Sequence, residues 1–276
     1  MNIFRTLYRF TKFEHTIFSL PIVFAGAYLG ANRHIPELRT LVLVALAATG
    51  GRVLGMAMNR ILDRKIDALN DRTKSRELPS GSMSLQKAIL IATIGLVVYL
   101  ASCAMLGPLI LILSPVPAFF LIIYSLLKRF TWLCHYGIGI VLGMAPLAAH
   151  VAVKTSIAVT PEIILLSGFT FFWISGYDII YALQDIDFDR KFGVHSIPGR
   201  FGSTISQVVA AITHIIAFLM LIAFALISAS GTLVWAPITC CGIALFMSYI
   251  PCIPLPVRFF PLSAVAGIAG SLIVFF

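Results

Sequence analysis

"LVLVALAATGGRVLGMAMNRILDRKIDALNDRTKSRELPSG" (residues 41–81) passes from a long apolar run into the most charged segment of the chain. Of the 276 residues, 59% are hydrophobic and only 11% are charged, and the mean hydropathy is +0.99. These values lie far outside the usual range of soluble domains and indicate a membrane protein. We therefore interpret the quoted stretch as a membrane-spanning helix that continues into a charged segment at one bilayer surface.

Apolar runs long enough to cross a bilayer recur along the whole chain. A hydrocarbon core requires roughly 17 to 25 residues of helix, and runs of this kind fit at nine places. The sequence predicts an all-α, polytopic membrane bundle of about nine transmembrane helices, forming a single domain over residues 1–276. The predicted spans are 14–31, 39–62, 86–106, 108–127, 133–153, 162–184, 205–228, 232–250 and 257–276.

Basic residues orient the predicted bundle in the lipid bilayer. Of the 20 Lys and Arg residues, 16 fall at the amino terminus or in connections on that same side. Arg33, Arg39 and Lys154 fall on the opposite side, and Arg52 lies within the second span. Because basic connections face the cytoplasm, we expect a bacterial inner-membrane protein with its basic side inside. The net charge of +9 belongs to these connections, so no nucleic-acid partner is expected.

Acidic residues form two clusters on the predicted cytoplasmic side. In the first, Asn59, Asp63 and Asp67 recur every four residues, and Asp71 follows. On a helix that continues beyond the second span, this spacing places the first three side chains on one face. Arg52, seven residues before Asn59, shares that face.

The second cluster repeats this geometry after the sixth span. Asp178, Tyr181, Asp185 and Asp189 stand at offsets of 0, 3, 7 and 11, close to one helical stripe. Asp187 falls off the stripe, and we expect it to matter less.

Two facing sets of carboxylates repel each other near a bilayer unless a cation lies between them. Mg²⁺ is suited to this position because it takes oxygen ligands and shares its coordination with substrate phosphates. A metal-bridged diphosphate therefore fits between the clusters, and Arg72, Lys74 and Arg76 can bind its remaining oxygens. A lone charged loop would more often be a solvated surface, but two matched clusters favour a binding site.

The pattern NxxxDxxxD in "NRILDRKID" (59–67) stands before "RTKSRELPSG" (72–81), and "YDIIYALQDIDFD" (177–189) follows much later. Together they resemble the UbiA superfamily of intramembrane aromatic prenyltransferases, and the likeness extends over nearly the whole chain. "KFEHTIFSLPIVFAGAYLG" (12–30) is most similar to the 4-hydroxybenzoate polyprenyltransferase branch. That branch also contains the 1,4-dihydroxy-6-naphthoate prenyltransferase of the futalosine route to menaquinone.

The resemblance implies Mg²⁺-dependent transfer of a polyprenyl group from polyprenyl diphosphate to a hydroxyaromatic acid in respiratory quinone biosynthesis. It implies metal ligation by Asp63, Asp67, Asp185 and Asp189. Candidate diphosphate-binding residues are Asn59, Arg72, Lys74, Arg76, Arg190 and Lys191. Candidate catalytic residues are Asp178, Tyr181 and Arg52. Many relatives have Asp where this chain has Arg60, which alters the motif without removing an expected ligand.

Two questions stay open at the level of sequence. Arg52 can bind the aromatic carboxylate or the diphosphate, or it can simply balance a motif carboxylate such as Asp63. A secondary transporter is an alternative function, although its site would lie near the bilayer midplane rather than at one face. Related enzymes that prenylate haem, chlorophyllide or a lipid glycerol share the metal motifs.

Overall fold

The computed structural model describes residues 3–12, 14–228 and 231–276, and all regular structure within them is helical. Short 3₁₀ and π turns join several of the helices. The helices are α1 (Ile3–Thr11), α2 (Glu14–Gly30), α3 (Leu38–Leu69), α4 (Leu85–Leu106), α5 (Pro108–Leu113), α6 (Pro115–Leu127), α7 (Cys134–Lys154), α8 (Pro161–Ala182), α9 (Ile186–Phe192), α10 (Ile197–Ile227), α11 (Trp235–Met247), α12 (Leu255–Val257) and α13 (Ser263–Leu272).

Seven helical segments of the described chain are long and apolar enough to cross a membrane. They coincide with seven of the nine predicted spans. The predicted first and eighth spans contain shorter apolar helices, Ser19–Gly30 and Thr232–Met247. The all-α membrane bundle is confirmed, and where about nine transmembrane helices were predicted the described residues contain seven full-length candidates and two shorter apolar helices.

α3 continues past the second predicted span, as the spacing of its acidic residues requires. Its 32 residues correspond to about 48 Å of helix, whereas a hydrocarbon core is about 30 Å thick. Asp63 and Asp67 lie in the last two turns of this helix, which runs without interruption to Leu69. The predicted single helical face for Asn59, Asp63 and Asp67 is therefore confirmed.

The second predicted stripe is interrupted, and in this respect the sequence prediction was wrong. α8 ends at Ala182, a 3₁₀ turn occupies Leu183–Asp185, and α9 begins at Ile186. Asp185 has φ −114° and ψ 11°, outside the α-helical region. Because a 3₁₀ turn has fewer residues per turn than an α-helix, Asp189 does not continue the helical face of Asp178. α10 also begins eight residues before the predicted span and kinks at Gly202, where φ is 80°.

Small residues let the helices of the core approach closely. A Cβ added to Gly26 of α2 would lie 2.1 Å from the carbonyl oxygen of Pro146 in α7, so no larger residue fits there without a shift. The main core is formed chiefly by α2, α7, α8, α10, α11 and α13, with Trp173 and Tyr177 fully buried. A second, smaller core joins α1, α3 and α4 around Phe10 and Leu54.

Candidate active site

Asp63 is the most deeply buried of the predicted ligands, with 1% of its surface exposed. Its Oδ2 accepts hydrogen bonds from Lys128 Nζ at 2.6 Å and from Asn59 Nδ2 at 3.0 Å. Asn59 Nδ2 also donates to Ser125 Oγ at 3.2 Å. The Oδ1 of Asp63 has no hydrogen-bond partner among the described residues, which leaves one buried carboxylate oxygen as a potential ligand atom.

Asp67 is bound by the loop that follows α3. Arg76 Nη1 lies 2.8 Å from Asp67 Oδ1 and 2.9 Å from Oδ2. Thr73 Oγ1 donates to the backbone oxygen of Asp67 at 3.0 Å, which fixes the loop to the end of the helix. Arg60, at the position where many relatives have Asp, is buried within electrostatic reach of both Asp67 and Arg76.

Asp185 joins the two acidic clusters. Its Oδ1 accepts hydrogen bonds from Asn70 Nδ2 at 2.8 Å and from Arg72 Nε at 2.9 Å. Arg72 Nη2 also contacts Asp185 Oδ2, and Arg72 Nη1 donates to the Tyr181 hydroxyl at 2.5 Å. Burial acts to lower the pKa of Arg72, but the hydrogen bond to Asp185 and the neighbouring Tyr181 outweigh it and raise that pKa. Arg72 is therefore a permanent cation between the clusters.

Asp189 contacts the start of α10 instead of a basic side chain. Ser196 Oγ donates to Asp189 Oδ2 at 2.5 Å and accepts a hydrogen bond from Gly199 N at 3.0 Å. Ser196 is the N-cap of α10, so the cap that begins the helix also orients this carboxylate.

Asp178 lies deeper in α8 and is bound by a histidine that the sequence analysis left out. His135 Nδ1 is 2.7 Å from Asp178 Oδ2, and the Asp178 side chain is 37% exposed. The hydroxyl of Tyr124 lies within electrostatic reach of Arg52, Asp63 and Asp178. Tyr124 therefore links the predicted catalytic residues to the first acidic cluster.

Three other candidate diphosphate-binding residues, Lys74, Arg190 and Lys191, lie at the edge of the predicted site. Lys74 Nζ contacts Asp71 Oδ1 at 2.6 Å, and this exposed contact lowers the pKa of Asp71. Arg190 Nε donates to the backbone oxygen of Gly199 at 3.0 Å. Lys191 lies over the ring of Phe192. Asp187 is exposed, as expected for a residue off the stripe.

An apolar cavity of about 360 Å³ lies among α2 to α7. Arg52 and Tyr124 line it, and Arg52 is the one charged residue among the described residues that form its wall. Apolar positions such as Val44, Leu121 and Ala148 form much of the rest. Since Ser125, next to Tyr124, contacts Asn59, the Tyr124 end of the cavity adjoins the first acidic cluster.

Asn59, Asn70 and the four predicted acidic ligands offer the carboxylate and amide oxygens that Mg²⁺ prefers. Within the described part of the chain, no three acidic, histidine or cysteine side chains converge closely enough to hold one ion. The free Oδ1 of Asp63 is the observation that best fits a divalent cation, because a buried carboxylate oxygen without a donor is costly.

Five contributors to this site were missed at the level of sequence: Asn70, Tyr124, Lys128, His135 and Ser196. Asn70 directly follows the helix of the first acidic cluster, and the other four come from segments without a repeating polar pattern. Lys128 is separated from Asp63 by 65 residues, so no local spacing relates the two. One feature of the sequence could have indicated two of these residues. Lys128 and His135 flank a basic connection on the side of the membrane where the acidic clusters lie.

The sequence model of the UbiA prenyltransferase family matches residues 19–251, a range that includes both acidic clusters. The chain belongs to the UbiA prenyltransferase family. Among UbiA relatives, a 4-hydroxybenzoate octaprenyltransferase from Shewanella woodyi is 34% identical over 177 residues, covering 64% of this chain and 61% of that protein. One from Aliivibrio fischeri is 26% identical over 216 residues, covering 78% and 75%. The match to the first relative thus spans less than two thirds of its length.

Solved UbiA structures have the same fold. A UbiA homologue from Aeropyrum pernix K1 is 31% identical, with a TM-score of 0.82 and 95% coverage of each chain. A UbiA homologue from Archaeoglobus fulgidus, solved bound to GPP and Mg²⁺, is 19% identical with a TM-score of 0.72. It covers 98% of this chain and 99% of that one. At this identity the second comparison concerns the fold alone.

Proposed function

We propose that this UbiA protein transfers a polyprenyl group from polyprenyl diphosphate to a hydroxyaromatic acid, with 4-hydroxybenzoate as the first candidate acceptor. The observation that carries the proposal is the contact of Asp185 with Asn70 and Arg72. This contact joins the two acidic clusters into one site beside an apolar cavity. A charged region next to an apolar cavity matches a substrate with a diphosphate head and an isoprenoid tail.

Asp63, Asp67, Asp185 and Asp189 are the residues that would hold Mg²⁺. When bound, this ion would neutralise the diphosphate and favour its departure. A structure of the same fold, from Archaeoglobus fulgidus, was solved with GPP and Mg²⁺ bound.

The chain's own cations would bind the phosphate oxygens. Arg72, Arg76 and Lys128 each contact one of the predicted ligands, at Asp185, Asp67 and Asp63 respectively. A diphosphate bound next to these carboxylates would therefore also lie next to the three basic side chains. Arg72 and Arg76 offer planar donors suited to phosphate, and Lys128 offers a point charge. Lys74, Arg190 and Lys191 stay predictions at the edge of this site.

The apolar cavity would receive the isoprenoid and exclude water from the reacting carbon. Arg52 lies in its wall, and Lys128 already pairs with Asp63. Of the three roles considered for Arg52, which are binding of the aromatic carboxylate, binding of the diphosphate and charge balance, we favour the first. Tyr181 contacts Arg72, so we assign it to the diphosphate side, and Asp178 to the acceptor side.

In the proposed reaction, the bond between carbon 1 of the isoprenoid and the diphosphate oxygen breaks, and the electron pair leaves with the diphosphate. The ring carbon of the acceptor ortho to its hydroxyl bonds to carbon 1. The proton on that ring carbon then leaves and aromaticity is restored. Asp178 is the residue of this site best placed to take the proton.

Membership in a prenyltransferase family argues against the secondary transporter. We place the protein in a bacterial inner membrane with the acidic clusters at the cytoplasmic face, in a pathway to a respiratory quinone. The basic connections and the bacterial relatives support this location.

The test is prenyl transfer by the purified protein in detergent or lipid, with Mg²⁺ and a polyprenyl diphosphate. 4-Hydroxybenzoate and 1,4-dihydroxy-6-naphthoate are offered separately, and products are resolved by mass spectrometry. We expect a Mg²⁺-dependent product with 4-hydroxybenzoate. A product with the naphthoate alone would retain the reaction and move the protein to menaquinone synthesis. Absence of product with either acid, in folded protein that binds the diphosphate, would contradict the proposed acceptor class.

A further inference from the structure

The hydrogen bonds of His135 determine which of its ring nitrogens carries a proton. The amide of Ile197 donates to His135 Nε2 at 3.2 Å. Because an amide N–H can only donate, Nε2 must be an unprotonated acceptor. The proton of the neutral ring is then on Nδ1, where it is donated to Asp178 Oδ2 at 2.7 Å. His135 is therefore a fixed donor to Asp178.

The surroundings of His135 hold the ring in this orientation. Ile197 is the first residue of α10, and its amide is one of the helix N–H groups without an intrahelical acceptor. Rotation of the buried ring would leave that amide without a partner. Two further contacts connect the same segments: His195 N donates to the Lys128 oxygen at 2.8 Å, and Cys134 Sγ contacts the His195 oxygen at 3.3 Å.

Asp178 is constrained at one oxygen and available at the other. Oδ2 is bound by His135, while the carboxylate remains 37% exposed. Oδ1 accepts no hydrogen bond from the part of the chain that the structure describes. Tyr124, which lies near Asp178, also lines the apolar cavity. Oδ1 of Asp178 therefore lies in the region that we assign to the acceptor ring.

We propose that His135 is a positioning residue that holds Asp178 as an oriented carboxylate, with Oδ1 available to the acceptor. This inference rests on the proposed function. When the new carbon–carbon bond has formed, Asp178 takes the proton from the attacked ring carbon, and the ring becomes aromatic again. His135 does not relay that proton, because its second nitrogen is occupied by the Ile197 amide. It fixes the direction of the Asp178 carboxylate through the hydrogen bond from Nδ1.

Two substitutions at His135 separate positioning from structural support. In His135→Asn, the amide nitrogen lies near the position of Nδ1 and can still donate to Asp178. In His135→Gln, the amide oxygen lies near the position of Nε2 and can still accept from Ile197. Both are neutral and polar. The Asn variant keeps the contact to Asp178, and the Gln variant keeps the contact to α10.

We expect His135→Gln to lower kcat by about 100-fold, the lower range of loss for a positioned proton acceptor, with an unchanged KM for polyprenyl diphosphate. We expect His135→Asn to retain kcat within about tenfold. If His135 only supports α10, the order reverses and the Gln variant is the more active. That order, or an equal kcat for both variants, would overturn the proposal.

A double substitution tests whether His135 acts through Asp178. In an Asp178→Asn background, adding His135→Gln should change kcat little, because the residue being positioned is already altered. A further loss equal to that seen in the wild-type background would contradict the inference. The proposed function fails separately, if the wild-type protein forms no prenylated product with any hydroxyaromatic acid.

Discussion

At the residue scale, the predicted site is a set of carboxylates that are each held by a specific donor. Lys128 binds Asp63, Arg76 binds Asp67, and Arg72 binds Asp185. Such pairs compensate charges that would otherwise repel each other near a bilayer. The same basic side chains are those that we assign to the phosphate oxygens. Substrate binding would therefore exchange one set of charged partners for another.

Substitution of Lys128 by Met tests this exchange. Lys128→Met removes the cation beside Asp63, and we expect the KM for polyprenyl diphosphate to rise about tenfold, since a hydrogen bond to a charged group contributes about 1.5–3 kcal/mol. Steady-state kinetics at saturating acceptor provide the measurement. Lys65→Met, an exposed position on α3, serves as the matched control and should leave KM nearly unchanged. Equal KM values for the two variants would remove Lys128 from the diphosphate site.

Residues with a regular spacing were predictable, and their partners were not. Asn59, Asp63 and Asp67 follow the helical period, so the shared face could be predicted from sequence alone. Lys128 and His135 reach the site from the connection between α6 and α7, through contacts that no local pattern encodes. Most histidines have no catalytic or binding role. The role of His135 could therefore be inferred only after its contact with Asp178 was known.

At the element scale, the second acidic cluster extends across the break between α8 and α9. The 3₁₀ turn at Leu183–Asp185 places Asp185 against Asn70 and Arg72. Residues 177–192 contain no Pro or Gly, so an uninterrupted helix was the reasonable prediction. The break coincides with tertiary contacts across the site and not with a helix-breaking residue in the local sequence.

Substitution of the α10 N-cap provides a second test. Ser196→Ala removes both the cap and the donor to Asp189, so we expect a loss of about 1 kcal/mol in stability and a higher Mg²⁺ concentration for half-maximal activity. Ser84→Ala is the control, because Ser84 caps α4 by accepting from Lys87 N and contacts no acidic residue of the site. Both variants should lower the melting temperature by a similar amount. A shift in the Mg²⁺ requirement in both, or in neither, would argue against a role for Ser196 in orienting Asp189.

At the scale of the whole molecule, the bundle combines a charged site at one end with an apolar cavity inside it. The apolar runs of the sequence predicted the helical bundle. The location of both acidic clusters on one side of the membrane predicted the site. The cavity was not predictable, because an apolar residue is equally suited to lipid, to the protein core and to a cavity wall. Only the packing of α2 to α7 distinguishes these environments.

Filling the cavity should affect long donors more than short ones. Ala148 lines the cavity, and Ala148→Phe should lower kcat/KM for a long polyprenyl diphosphate by about 5- to 160-fold, since an overpacked apolar site costs about 1–3 kcal/mol. The loss should be smaller with geranyl diphosphate. Ala101→Phe, an exposed position on α4 outside the cavity wall, is the control. The same loss with both donors would show that the cavity does not hold the isoprenoid tail.

The central claim is that two acidic clusters, distant in sequence, form one metal-dependent diphosphate site. The most direct measurement compares Mg²⁺-dependent prenyl transfer by Asp63→Asn and Asp185→Asn with transfer by the exposed controls Asp71→Asn and Asp187→Asn. We predict that each site variant loses at least about 100-fold in kcat/KM, the upper range for loss of a residue that supports a metal ligand. Both controls should retain near wild-type rates. Wild-type transfer by either site variant, in folded protein, would contradict the claim.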